Sequence, residues 1–169
     1  RYLIEAIKGL EAQLILIGSG PLKAQLQELA ASLGVAQNVT FLSDIGDEEL
    51  IHYYHACTLF ALPSVTRNEA FGIVQMEAMA CGKPVVSTTL DTGVSFINAH
   101  QKTGLTVEPR NVAQLHEALR KLLTDDSLRE QYGSYAKRRL ETDFSVEAMC
   151  AATLATFESA ASETTTPVH

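Results

Sequence analysis

Apolar positions along the chain fall into two alternating rhythms. Short runs with strand length and β-branched content occur at "AQLILIG" (12–18), "NVTFLS" (38–43), "TLFALP" (58–63) and "KPVVST" (83–88), and "TGLTVE" (103–108) reads as a short strand after a loop. Between them lie stretches of helical spacing. The chain opens on "RYLIEAIKGL", an amphipathic helix with Leu3, Ile4, Ile7 and Leu10 on one side. "GPLKAQLQELAASLG" (20–34) has Pro21 near its start and Gly34 at its end, and "DEELIHYYHAC" (47–57) follows the second strand. From Asn111 onward the pattern is helical in three pieces, 111–126, 127–143 and 145–160, with Asn111, Ser127 and Ser145 placed to cap them. "SETTTPVH" is polar and reads as a frayed tail, which puts the folded unit at 1–160 and a flexible tail at 161–169. Strands alternating with helices predict right-handed βαβ units: an α/β, Rossmann-like parallel sheet with helices on both faces and extra C-terminal helices.

One segment breaks the amphipathic rule. In "EAFGIVQMEAMACGKP" (69–84) the residues Phe71, Ile73, Val74, Met76, Ala78, Met79 and Ala80 leave no wide polar face, so the spacing predicts a mostly buried helix over 70–81, stopped by Gly82 and Pro84. Glu77 sits inside it with Ile73, Val74, Ala80 and Cys81 as helical neighbours and no cation among them. An ionised carboxylate there calls for hydrogen-bond donors, because it can only accept. Glu69 stands just before the first turn, where free N–H groups and the positive dipole end favour an anion. On spacing alone Glu69 reads as a surface charge, and Glu77 is open between a ligand-facing and a solvated role.

Composition narrows the partners. The chain has 169 residues, 46% of them hydrophobic, which is enough to bury a core in one domain. A net charge of -7 argues against a nucleic-acid surface, so an anionic ligand has to be held locally by backbone donors. Cys57, Cys81 and Cys150 are widely separated and lack C-x-x-C pairing, which predicts buried free thiols and a reducing, cytoplasmic setting. No apolar run approaches a membrane span, and the N-terminus has no signal-peptide pattern. A start at Arg1, directly in a helix, suggests a piece of a longer protein.

In an open parallel sheet, ligands lie at the carboxyl ends of the strands. Three segments fall there: "GSGP" (18–21), "SDIG" (43–46) and "SVTRNEAFG" (64–72). Alone, "GSGP" lacks the third glycine of a dinucleotide fingerprint, so NAD binding ranks low.

Together, "GSGPL", "NVTFLSDIGDEELIHYYHACTLFALPS", "EAFGIVQMEAMACGKPVVST" and "TGLTVEPRNVAQLHEALRKLL" resemble the C-terminal, donor-binding domain of retaining GT-B glycosyltransferases of family four, from Leu3 to about Asp143. In that family two glutamates separated as Glu69 and Glu77 are separated mark the donor site. The resemblance implies that Glu77 accepts from the ribose hydroxyls of a nucleotide sugar and that Glu69 lies beside the transferred sugar as the catalytic carboxylate. It implies that backbone around Ala70, Phe71 and Gly72 meets the diphosphate, with Gly18 and Gly20 nearby. Ser43, Asp44 and Ile45 would hold the nucleobase through backbone groups, and Gly93 and Val94 lie near the site.

The implied reaction is transfer of a hexosyl group, with retention, from a UDP-, GDP- or ADP-sugar to a glycan or lipid-linked acceptor in polysaccharide biosynthesis, with no cofactor and no metal required. The implied partners are the nucleotide sugar, an acceptor-binding N-terminal domain of the same parent chain and the acceptor itself. The parent would be cytoplasmic, peripheral at the inner face of the membrane, and this chain alone inactive. The family's arginine and lysine on the diphosphate precede the helix that here begins at Arg1, and "DTGVSFIN" (91–98) replaces its commoner glycine-rich loop. Two alternatives stay open: a non-catalytic nucleotide-binding or interaction module on the same scaffold, and a sugar-nucleotide epimerase of GT-B architecture. His52 and His55 lack further metal ligands in the pattern. "KRR" at 137–139 reads as a solvated helix face, Lys83 complements a helix dipole, and Arg67 is open between phosphate and a surface carboxylate.

Overall fold

A computed structural model describes residues 1–163. The predicted alternation is realised: α1 (Tyr2–Ala6), β1 (Leu14–Ile17), α2 (Lys23–Ser32), β2 (Val39–Leu42), α3 (Asp47–Ala56), β3 (Phe60–Leu62), α4 (Val74–Ala80), β4 (Val85–Thr88), α5 (Gly93–Ile97), β5 (Gly104–Val107), α6 (Val112–Thr124), α7 (Asp126–Asp143) and α8 (Val146–Glu163). Every recorded strand pairing is parallel. Among the described residues the strands form two sheets, β1-β2 and β3-β4-β5, so β1 and β3 each keep one edge unpaired.

Period-2 geometry shows how helices cover both faces. Val86 joins a core with Leu3 and Ile4 of α1, Ile7 just after it, Ala30 of α2 and Leu115, Leu119 and Leu122 of α6. Its neighbour Val85 points the other way, into a cluster with Met79 of α4, Ile97 of α5 and Ala136 of α7. Because the first core also holds Val39 and takes in Leu14, Leu16 and Phe41, α1 and its neighbours bind the two sheets into one body.

Several expectations change. The 70–81 helix starts only at Val74, because Gly72 has φ +77°, a left-handed conformation that interrupts the helical path. The segment "DTGVSFIN" is not all loop: Thr92 caps α5, with the Val94 N–H reaching its hydroxyl. Asp125, not Ser127, caps α7, its carboxylate accepting from Leu128 N–H at 2.9 Å. Asn111 and Ser145 cap as expected, accepting from Gln114 and Ala148. β1 is half open, with Ile15 45% and Ile17 38% exposed while Leu14 and Leu16 are partly buried against the core. The thiols are less buried than expected: Cys57 and Cys81 are intermediate and Cys150 exposed. The tail expected at 161–169 starts later, since residues 161–163 continue α8, and 164–169 lie outside the described residues. No helix among the described residues is long and apolar enough to cross a membrane.

Candidate functional site

The loops leaving β3 and β4 interlock at their glycines. Gly93 N–H donates to Ala70 O at 2.9 Å, and a Cβ on Gly93 would lie 2.2 Å from the Phe71 ring. A Cβ on Gly72 would lie 2.7 Å from Gln75 Nε2 and 2.8 Å from Leu62 Cδ2, with Val94 also close. No side chain fits at either position without displacing its neighbours. Gln75, fully buried under this turn, donates from Nε2 to Val94 O at 3.4 Å, while its Oε1 has no partner among the described residues. Thr88 adds a tie between the same strand ends, donating to Ser64 O. The sequence brought Ala70, Phe71, Gly72, Gly93 and Val94 forward separately; the structure joins them into one clamp.

The first turn of α4 draws on the carbonyls of Gly72 and Ile73, which accept from Gln75, Met76 and Glu77. Among the described residues the N–H groups of Phe71 and Gly72 take no hydrogen bond. They are donors left over at the mouth of the clamp.

Glu77 corrects the picture of a buried charge. It is exposed on the outward face of α4, with Ile73 (62% exposed) and Val74 (36% exposed) one turn before it, while Gln75, Ala78 and Met79 face the sheet. The donor missing from the local sequence comes from α3: Tyr54 O–H donates to Glu77 Oε2 at 2.7 Å. No helical spacing reveals a partner 23 residues away. The only signal was "HYYHAC", where Tyr54 rather than Tyr53 falls on the buried face of α3.

Glu69 is half-buried in the turn before the clamp, and its backbone N–H donates to Thr66 O at 3.3 Å. Its carboxylate has no protein partner among the described residues. Gly18 and Gly20 follow β1, Gly18 N–H bonding Leu42 O, and Ser43, Asp44 and Ile45 follow β2, Asp44 at φ 60°. These lie at carboxyl ends of strands, as expected, but no recorded contact joins them to the clamp. Arg67 pairs with Asp91 at 3.3 Å across two exposed side chains. Arg139 departs from the solvated face expected of "KRR": it lies over the rings of Phe96 and Phe144 and donates to Phe96 O at 2.8 Å. His55 Nε2 stands 3.7 Å from Cys81 Sγ, a two-residue contact on the surface.

Against this geometry, comparison with known proteins is decisive. The family model described as "Glycosyl transferases group 1" matches residues 1–139. The chain belongs to that family. Among its curated relatives, D-rhamnosyltransferase WbpZ of Pseudomonas aeruginosa is 37% identical over 137 residues, covering 81% of this chain and 36% of the relative. A GDP-mannose-dependent monoacylated alpha-(1-6)-phosphatidylinositol monomannoside mannosyltransferase of Corynebacterium glutamicum is 37% identical over 144 residues, 82% of this chain and 37% of the relative. Among solved structures, sucrose-phosphate synthase from Thermosynechococcus elongatus superposes with a TM-score of 0.81 at 30% identity, covering 95% of this chain and 42% of that one. Anabaena Alr3699/HepE in complex with UDP-glucose superposes at 0.80 with 27% identity, over 94% and 44%. This group 1 glycosyltransferase chain therefore spans 36–44% of the length of these relatives. Its fold is that of one half of a GT-B enzyme.

Proposed function

We propose that this chain is the donor-binding half of a retaining glycosyltransferase and holds a nucleoside-diphosphate sugar at the clamp between the β3 and β4 loops. The observation that carries the reading is Glu77: an exposed carboxylate, oriented by Tyr54, one turn beyond two unpartnered backbone N–H groups. A ribose diol offers two O–H donors to such an acceptor, and a diphosphate offers acceptors to such amides. The printed names of relatives that depend on GDP-mannose or were solved with UDP-glucose support a nucleotide-sugar ligand.

In this reading the anomeric carbon leaves a diphosphate oxygen and bonds an acceptor hydroxyl oxygen of a glycan or lipid-linked sugar, while the acceptor's proton passes to the departing nucleoside diphosphate. Glu69 stands beside the transferred sugar. The N–H groups of Phe71 and Gly72 meet charge that grows on the departing nucleoside diphosphate, where one preorganised donor can be worth about 3 kcal/mol. No resident metal is needed for that stabilisation. The acceptor comes from another domain of the parent, so this chain alone transfers no sugar.

The test is a melting-temperature series on the chain and on its full-length parent with UDP, GDP, ADP and NAD, followed by transfer assays with nucleotide sugars. A ligand that binds only the folded state raises the melt. The expected result is a rise with one nucleoside diphosphate and none with NAD, and turnover by the parent alone. No shift at millimolar nucleotide in either protein, or turnover by the chain at the parental rate, overturns the reading.

A further inference from the structure

The least expected contact at the site is the one between α3 and α4. Tyr54 is only 8% exposed, its ring tilts against Phe60 of β3 with centroids 5.7 Å apart, and its hydroxyl ends on Glu77 Oε2. A phenol packed this tightly has few rotamers, so it anchors the carboxylate oxygen it bonds and narrows the conformations open to Glu77. The other oxygen, Oε1, takes no protein donor among the described residues and opens on the exposed side of α4. Glu77 is thus a divided acceptor, with one oxygen tied to the protein and one presented outward.

We propose that Tyr54 is a positioning residue that aims Glu77 at the nucleotide's ribose and so sets discrimination for a ribose diol over a deoxyribose. The proposal rests on the reading of Glu77 given above and adds a second residue to it. An untethered glutamate has three side-chain torsions to freeze when a ligand binds. With Tyr54 in place part of that ordering is already done in the free protein. Burial, and then the neighbouring carboxylate, raise the Tyr54 phenol above its ordinary range, so it remains an O–H donor wherever Glu77 is ionised. A site whose acceptor is aimed at hydroxyl groups penalises a ligand that lacks them, because the acceptor is then left without its donors.

The experiment measures dissociation constants in the full-length parent for UDP, GDP and ADP, and then compares the tightest binder with its 2′,3′-dideoxy analogue. The variants are Tyr54→Phe, which keeps the ring and removes the hydroxyl, and Tyr54→Met, which fills the space without a ring. Glu77→Gln is run beside them, with a melting curve for each. The expected result is a ribose-to-dideoxyribose preference that falls about tenfold in Tyr54→Phe and Tyr54→Met, mostly through weaker binding of the ribose form. In the double variant with Glu77→Gln, removing the hydroxyl should produce no further fall.

A role confined to packing would weaken both ligands equally or lower the melt alone. A preference unchanged in both Tyr54 variants but lost in Glu77→Gln therefore overturns the proposal and leaves the donor site standing. A preference unchanged in Glu77→Gln, or no binding of any of the three nucleotides, overturns both.

Discussion

All four residues of β4 are buried, whereas β1 alternates, with Leu14 and Leu16 turned to the core and Ile15 and Ile17 toward the outside. The sequences of the two strands, "VVST" and "LILI", give the opposite impression, since β1 is the more hydrophobic. Environment decides: β4 has a paired strand on each edge and helices on both faces, while β1 pairs only with β2. The more polar strand can be buried because its polar groups are bonded. Asn98 donates from Nδ2 to Val85 O, Ser87 Oγ and Leu105 O at 3.2, 2.9 and 3.1 Å, and its Oδ1 accepts from Thr103 at 2.8 Å. The half of the molecule that carries the Ala70–Gly72 and Gly93–Val94 clamp is therefore the half that is tied from both sides. Gly18, Gly20 and Ser43–Ile45 hang on the more open half.

The strongest way to break this contrast is to remove the tie. Asn98→Ala removes four buried hydrogen bonds at once, although Thr103 Oγ1 keeps Ala99 O as an acceptor at 3.3 Å, and should cost roughly 3–5 kcal/mol in urea unfolding. Asn38, on the open half, makes one such bond, from Nδ2 to Ala12 O at 3.3 Å. Asn38→Ala should cost about 1 kcal/mol. Equal costs for the two would mean that the halves do not differ in the way described.

Gly72→Ala strikes the clamp itself. It forces a Cβ into a left-handed backbone position and against Gln75 and Leu62, at about 2–4 kcal/mol by the same urea assay. Nucleotide affinity should fall at least in proportion, since the N–H groups of Phe71 and Gly72 move. Glu77→Gln separates function from fold. Exposure limits its effect on stability to under about 1 kcal/mol, while nucleotide binding measured by calorimetry should weaken by roughly 1–3 kcal/mol. An unchanged affinity would return Glu77 to a surface role.

What the sequence showed and hid follows the same division. The strand and helix alternation, the parallel pairing and the caps at Asn111 and Ser145 rest on local pattern, and each is present. Long-range facts were not legible. Glu77 looked stranded because its donor, Tyr54, belongs to another helix, and its exposure could not be read from a stretch whose outward residues, Ile73, Val74 and Ala80, are themselves apolar. The spacing over 70–81 does not show that Gly72, at positive φ and crowded by Leu62, Gln75 and Val94, delays the start of the helix to Val74. The five residues of α5 are too few to show a period. Nothing in "KRR" discloses that Phe96 and Phe144 come beneath Arg139.

The smallest expected effect sharpens the comparison most. Ile15→Thr keeps β-branching and hence strand preference, and it removes apolar surface that is already 45% exposed. Its cost should stay within about 0.5 kcal/mol. The matching change in the closed half, Val86→Thr, is close to isosteric but buries a hydroxyl in the core formed by α1 and α6, where the surrounding side chains offer apolar atoms. That should cost about 1–3 kcal/mol. Paired urea titrations in one buffer give the difference directly, because errors in extrapolation are shared between the two curves. If Ile15→Thr proves as costly as Val86→Thr, the outer face of β1 is covered in solution, and the openness of that half does not describe the protein under those conditions.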